Sequence, residues 1–344
     1  MTQSGYRAAG VDIAAATRAK EMMATAVRAT HSSAVLAGMG SFGGCFDASL
    51  SLAGLEAPVL VASTDGVGTK TMVASAMGRY DTVGQDLVNH CINDILVQGA
   101  HPLFFLDYIA AARLDPEMVA TLVAGIANAC QAVDCALLGG ETAEMPGVYA
   151  PGAFDLAGTI VGAVARAEML PRGDIVPGDA ILALPSSGLH TNGYSLARRL
   201  VEPIGYHAQP PELGGVSIGE ALLAVHRCYL REVGVLRRAI LIKALAHITG
   251  GGVFDNLPRV WPSDGDRSYT LGATIERGTW VIPPIFTFLQ HLGDLSDQEA
   301  YHVFNMGMGM LVIVTPDAVD TALAAVPEAR RVGTIIEGEG VRLV

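Results

Sequence analysis

Positive charge is in short supply in this chain. Lys and Arg number 22 against 34 Asp and Glu, a formal net charge of −12 over 344 residues. That balance, with no basic run interleaved with aromatics, argues against nucleic acid as a partner. Long apolar runs are also missing: no stretch reaches the roughly 18 residues that a membrane helix requires. The opening residues, MTQSGYR, lack the basic-then-apolar form of a signal peptide, so a cytoplasmic protein is expected. Cysteine is sparse and odd in number: Cys45, Cys91, Cys130, Cys135 and Cys228, with no C-x-x-C pair. Zinc and a disulfide framework are therefore disfavoured, and buried reduced thiols packed as small hydrophobes are expected. The usual phosphate loop, G-x-x-x-x-G-K-[ST], does not occur.

What is abundant is apolar surface and glycine. Apolar residues make up 51% of the chain, enough for large cores, and the length suits two domains. The 40 glycines cluster in short runs, a pattern that suits backbone approaching ligands closely as well as plain turns. Helical patterning covers residues 12–29, 81–98, 115–132, 194–202 and 219–238. Strand patterning covers 58–64, 103–111, 135–138, 154–165, 180–184 and 244–248. In residues 171–178, PRGDIVPG, two prolines and two glycines change the texture, which places a boundary between domains 1–170 and 171–344. Both halves mix strands and helices, so each is expected to be a mixed α/β (α+β) unit with a helix-packed sheet.

The chemistry concentrates in a few segments. STDGVGTK (63–70) sets Asp65 after a strand, beside Gly66 and ahead of Lys70. Magnesium takes carboxylate and phosphate oxygens, glycine lets N–H groups face an anion, and lysine supplies a point charge. Asp-Gly is equally at home in an ordinary hairpin turn. Asn93 and Asp94 end a mostly apolar helix that stops at GAHP (99–102), and Asp86, His90, Asn93 and Asp94 form one polar ridge along it. A carboxylate there is costly unless paired or metal-bound. Two such acids, glycine-rich turns and a lysine suit a magnesium–polyphosphate site and an enzyme that uses ATP.

Further ligand-facing turns are expected at Gly139, Gly140 and Glu141, with Glu141 a metal or ribose contact, and in the glycine-rich loop holding Gly38, Gly40, Gly43 and Gly44. In the second half, Ser187, His190 and Asn192 lie in a loop of small hydrogen-bonding residues before a helix, which suits an anion or a proton transfer. Thr249, Gly250 and Gly251 form a similar nest. His247 reads as a satisfied core histidine, and Met306, Met308 and Met310 as packing.

Taken in order, residues 6–13 (YRAAGVDI), 63–70, 93–108 (NDILVQGAHPLFFLDY), 139–149 (GGETAEMPGVY), 186–196 (SSGLHTNGYSL), 247–260 (HITGGGVFDNLPRV) and 304–310 (FNMGMGM) resemble the phosphoribosylformylglycinamidine cyclo-ligases, or aminoimidazole ribonucleotide synthetases. The resemblance implies a homodimer of two-domain α/β chains. It implies ATP-dependent closure of formylglycinamidine ribonucleotide to 5-aminoimidazole ribonucleotide, with ADP and phosphate released, through an O-phosphorylated amide. It implies Asp65, Asp94 and Glu141 as magnesium ligands. Lys70, Asn93 and the Gly38–Gly44 and Gly139–Gly140 segments would lie around ATP. Ser187, His190, Asn192, Thr249, Gly250 and Gly251 would lie around the ribonucleotide, with His190, Lys70 and Asn192 acting in catalysis. Ala24 stands where the family often has a lysine, with Lys20 one turn earlier; Ser32, Ser33 and Ala34 replace an Arg-Pro-Glu run; and His101 takes an acidic position. A selenophosphate synthetase or thiamine-monophosphate kinase type of enzyme, and a nucleotide-binding paralogue without chemistry, are the alternatives. Cys45 in the glycine-rich loop fits the first of these.

Overall fold

The computed structural model describes residues 13–262 and 269–344; the resembling segment at 6–12 lies outside them. The chain divides into two compact units. One holds the described residues through Ile95 together with Ala100–Arg166, and the other holds Leu96–Gly99 with Ala167–Val344. The boundary expected at 170/171 falls just beyond that division.

The first unit is a four-stranded sheet with helices on one face. Its elements are α1 (Ile13–Ala29), β1 (Pro58–Gly66), α2 (Lys70–Met77), α3 (Val83–Leu96), β2 (His101–Ala111), α4 (Pro116–Gln131), β3 (Ala136–Glu144) and β4 (Phe154–Ala165), in strand order β1-β4-β2-β3. β4 is antiparallel to both β1 and β2, and β2 is parallel to β3. The carboxyl ends of β1, β2 and β3 therefore meet at one edge of the sheet.

Local chemistry explains the elements. Asp115 caps α4 by accepting the Glu117 N–H at 2.9 Å, with Pro116 in the first helical turn, where its missing N–H costs nothing. Gly99, at φ 90°, takes the left-handed position that stops α3. α3 and α4 cross backbone to backbone: a Cβ on Gly84 would lie 2.3 Å from the Leu122 carbonyl. Leu87, Cys91, Ile92 and Ile95 of α3 are fully buried, with Phe105, Ile109, Ile126 and Ile160. Their burial supplies on the order of 2 kcal/mol per side chain before conformational entropy is counted.

The second unit is a six-stranded sheet. Its elements are β5 (Ala180–Pro185), α5 (Tyr194–Val201), α6 (Leu230–Ala239), β6 (Ala244–His247), β7 (Leu271–Ile275), α7 (Pro284–Leu292), β8 (Met308–Val314), α8 (Val319–Ala325), β9 (Arg330–Glu337) and β10 (Gly340–Leu343), in strand order β10-β7-β9-β5-β8-β6. Every residue of β8 is buried, as a central strand demands. β5 and β6 are both antiparallel to β8, so the loops leaving β5 and β6 emerge together beside the entry to β8. Met306, Met308 and Met310 are buried there as packing. Among the described residues no helix is long and apolar enough to cross a membrane.

Three expectations are corrected. Gly139, Gly140, Glu141 and Thr142 are strand, not turn, because β3 runs on to Glu144. The helix expected over 219–238 is two pieces, Ile218–Leu222 and Leu230–Ala239. The intervening residues leave the helical path although none is proline or glycine, and Tyr229 is held instead by its hydroxyl bond to the Pro185 carbonyl at 2.9 Å. Of the five free cysteines, Cys91, Cys130 and Cys135 are buried, while Cys45 is exposed on a two-stranded ribbon.

Candidate active site

The acids of the first unit meet at one histidine. Asp65, at the end of β1, and Asp94, in the last turn of α3, both approach His90 Nε2, at 2.7 Å and 3.5 Å. Helix spacing puts His90 and Asp94 on one face, and the strand end brings Asp65 to it. The Ser63 hydroxyl donates to Asp94 Oδ2 at 3.1 Å, and the Gly66 N–H donates to Asp65 Oδ1 at 2.6 Å. Burial opposes a charge on His90, but the hydrogen bonds it donates to Asp65 and Asp94 outweigh it and raise the imidazole to about 9. Burial likewise opposes ionisation of Asp65, and contact with His90 overturns it, leaving the carboxyl below its ordinary value. The result is two half-open carboxylates, 43% and 27% exposed, anchored by one buried cation. Their hard oxygens, open to water, suit magnesium, which keeps part of its hydration shell.

Other expected residues are placed differently. Lys70 is fully buried, with its Nζ 2.8 Å from the equally buried Asp86. It ties α2 to α3 and presents nothing to a nucleotide. Asn93 is fully buried as well and offers no open face. Glu141 does not join Asp65 and Asp94 within one chain. Asp65, Gly158, Asp107 and Gly140 lie in one row across the sheet, whereas Glu141 lies one residue on, paired with Tyr108. It therefore faces away from α3 and stands three strand spacings, about 14 Å, from β1. Its carboxylate accepts the N–H of Thr142 at 2.9 Å.

A second feature of this unit is a cavity of about 880 Å³ beside β3. Gly38, Gly40, Gly43 and Gly44 line one side, Gly139, Gly140 and Glu141 another, and Lys20 of α1 a third. The glycines expected around a nucleotide thus share one hollow, and Lys20 reaches it from the turn before Ala24. Asp107 also lines it. Gly140 makes room for that side chain, because a Cβ there would lie 2.2 Å from Asp107 Oδ1. Neither Asp107 nor His90 emerges from local sequence. His90 lies on the polar ridge of α3, but only the fold supplies Asp65 as its partner.

In the second unit the two expected segments converge. Ser187, His190 and Asn192 follow β5; Thr249, Gly250 and Gly251 follow β6; and both loops flank β8. The Asn256 amide fastens the glycine turn by donating to the carbonyls of Thr249, Gly250 and Gly252 at 3.3, 3.0 and 2.8 Å. Asn305 holds the other side, accepting from the Ser186 hydroxyl and donating to the Gly188 carbonyl, both at 2.8 Å. Ser187 and Gly250 are exposed and Asn192 is half-buried, so this rim can meet a ligand.

His190 lies underneath instead, 1% exposed and at a left-handed φ of 62°. Its Nε2 accepts the Ser187 N–H at 3.3 Å, which puts the neutral ring's proton on Nδ1. Gly309 of β8 leaves space for it: a Cβ there would lie 2.7 Å from His190 Cε1 and 1.8 Å from the Tyr229 oxygen. His226, in the non-helical stretch before α6, is also buried against this loop. The expected helix concealed it from sequence reasoning.

Residues 47–164 match the N-terminal domain, and residues 176–344 the C-terminal domain, of the family described as AIR synthase related protein. The chain is 49% identical to the phosphoribosylformylglycinamidine cyclo-ligase of Desulfitobacterium hafniense, over 92% of this chain and 90% of that protein. It is 45% identical to the enzyme of the same name from Alkaliphilus oremlandii, over 97% of each. Among solved structures, the E. coli hydrogenase maturation protein HypE is 19% identical, with a TM-score of 0.66 over 94% of this chain and 93% of that one. That likeness concerns the fold alone.

Proposed function

The chain belongs to the phosphoribosylformylglycinamidine cyclo-ligase family, and we propose that it uses ATP to close formylglycinamidine ribonucleotide into 5-aminoimidazole ribonucleotide in purine biosynthesis, as a cytoplasmic enzyme. ATP transfers its terminal phosphoryl group to the formyl amide oxygen, which becomes a leaving group. A nitrogen of the same substrate attacks that carbon, the C–N bond forms, and phosphate departs. Such a reaction needs charge neutralised at the transferred group and the reacting atoms held in near-attack geometry.

The observation that carries this reading is the meeting of Asp65 and Asp94 at His90. Asp65 and Asp94 would hold magnesium, which when bound offsets the negative charge of the phosphates. His90 keeps both carboxylates in position. The cavity beside residues 38–44 is of a size for the nucleoside part of ATP. Ser187, Asn192, Thr249, Gly250 and Gly251 offer hydroxyl, amide and backbone donors to the ribonucleotide, and His190 orients the Ser187 segment from below. The names of the relatives favour this activity over selenophosphate synthesis or thiamine-monophosphate phosphorylation.

A homodimer belongs to the same proposal. The face of the first sheet opposite α3 carries Leu60, 62% exposed, with Ala62 and Thr64 exposed and Phe104, Leu106 and Tyr108 half-covered. An apolar face of that kind suits a second copy of the chain. Glu141 lies on it, at the rim of the cavity lined by Gly38–Gly44.

The deciding experiment is a ring-closure assay on the purified chain. ADP release and aminoimidazole formation are expected only when formylglycinamidine ribonucleotide, ATP and magnesium are all present. Tight ATP binding without turnover would instead indicate a nucleotide-binding paralogue.

A further inference from the structure

Three histidines meet beneath the loops of the second unit, and the middle one has no role in the reading above. His226 is fully buried, and both of its ring nitrogens are engaged. Nε2 lies 3.1 Å from His247 Nε2, and Nδ1 lies 3.3 Å from the Thr191 hydroxyl. Its face stacks on His190, with ring centroids 4.0 Å apart and planes 18° from parallel. His226 thus touches the end of β6, where the Thr249–Gly251 turn begins, and the loop carrying Ser187 and Asn192.

Hydrogen-bond logic makes this contact a two-position device. Of two imidazole nitrogens 3.1 Å apart, one must donate and the other accept. If His226 donates from Nε2, its Nδ1 accepts from the Thr191 hydroxyl, and His247 carries its own proton on Nδ1. If His247 donates instead, His226 carries its proton on Nδ1, and the Thr191 hydroxyl turns to accept it. The tautomer of His247 and the direction of the Thr191 hydroxyl are therefore set together, through His226. The trio is poorly shaped for a metal ion. Imidazole lone pairs lie in the ring plane, and two rings stacked nearly parallel cannot aim them at one point.

We propose that His226 is a positioning residue: it sets the tautomer of His247 and the orientation of Thr191, so that both substrate-side loops present one matched set of donors and acceptors. The functional consequence rests on the cyclo-ligase reading; the tautomer coupling does not.

The test joins a resting-state spectrum with kinetics. In protein labelled with ¹⁵N-histidine, the His247 nitrogens should report a single tautomer in the wild type. His226→Phe, which keeps the stack on His190 but deletes both ring nitrogens, should change that pattern. In the ring-closure assay, kcat of His226→Phe should fall by about tenfold or more with KM for ATP unchanged. His226→Gln, whose amide can reach the Nε2 position, should recover much of the loss. If His226→Phe does not fold, His226→Asn, whose amide reaches only the Nδ1 position and leaves the Nε2 contact with His247 unmade, decides through the same His247 signals. Unchanged His247 signals in folded His226→Phe or His226→Asn, or wild-type kcat in His226→Phe, would overturn the proposal. A wild-type chain that forms no aminoimidazole would overturn the cyclo-ligase reading instead, and the spectra would still judge His226.

Discussion

Asp107 holds its proton at pH values where most aspartates have lost it. Burial pushes its carboxyl from an ordinary value of 3.8 up to about 7, and Gly140 leaves the space it occupies. Between those two values the folded chain keeps a proton that the unfolded chain releases, so stability falls as pH rises through this window and the full cost is present above it. Asp107→Asn removes the titration with little change of shape. Its melting temperature relative to wild type should therefore rise between pH 4 and pH 8; a flat difference would show that Asp107 ionises freely in the cavity. His90 is the opposite case, a buried cation stabilised by the two carboxylates it joins. Neither residue stands out in a linear sequence. Asp107 reads as one polar residue in an apolar strand, and His90 as one member of a helix ridge, until the sheet brings Gly140 to the first and Asp65 to the second.

Two helices of the first unit are joined by a buried charge pair. Lys70, in the first turn of α2, and Asp86, in the first turn of α3, are both fully buried and 2.8 Å apart. Removing one partner leaves the other charge in a low-dielectric interior. Lys70→Met should therefore lower unfolding free energy by about 3–5 kcal/mol, measured by denaturant titration, while the double variant Lys70→Met with Asp86→Leu should regain much of it. Equal losses in both variants would mean that the pair contributes no more than packing. Sequence patterning found α3, α4 and the strands β1, β2 and β4 because their periodicity is strong. It missed the continuation of β3 through Gly139 and Gly140, since glycine weakens the strand signal. It also missed the break before α6, where tertiary bonds of Tyr229 and His226 override helix propensity. The burial of Lys70 is hidden from sequence for a related reason: a lysine beside a glycine turn looks available for phosphate until its buried partner, sixteen residues on, is known.

At the scale of the molecule, the two-unit α/β plan and the pairing of Asp65 with Asp94 were readable in the sequence, while the meeting of the Ser187–Asn192 and Thr249–Gly251 segments at one end of a sheet was implied only by the family resemblance. What needed coordinates was depth. His190, Asn93 and Lys70 lie below the surface, and Glu141 lies on the far face of its sheet, because burial depends on partners remote in sequence. The proposed homodimer would use that far face. Leu60→Arg should convert a homodimer to a monomer in size-exclusion chromatography with light scattering; an unchanged mass would place the subunit contact elsewhere. The shared use of Asp65 and Asp94 is tested most directly by calorimetric titration of magnesium–ATP into wild type, Asp65→Asn, Asp94→Asn and the double variant. Each single change should weaken binding by about tenfold or more, and the double variant should lose less than the sum of the two, as expected for two ligands of one ion. Wild-type affinity in both single variants, with the fold intact, would contradict a common magnesium–nucleotide site at these two carboxylates.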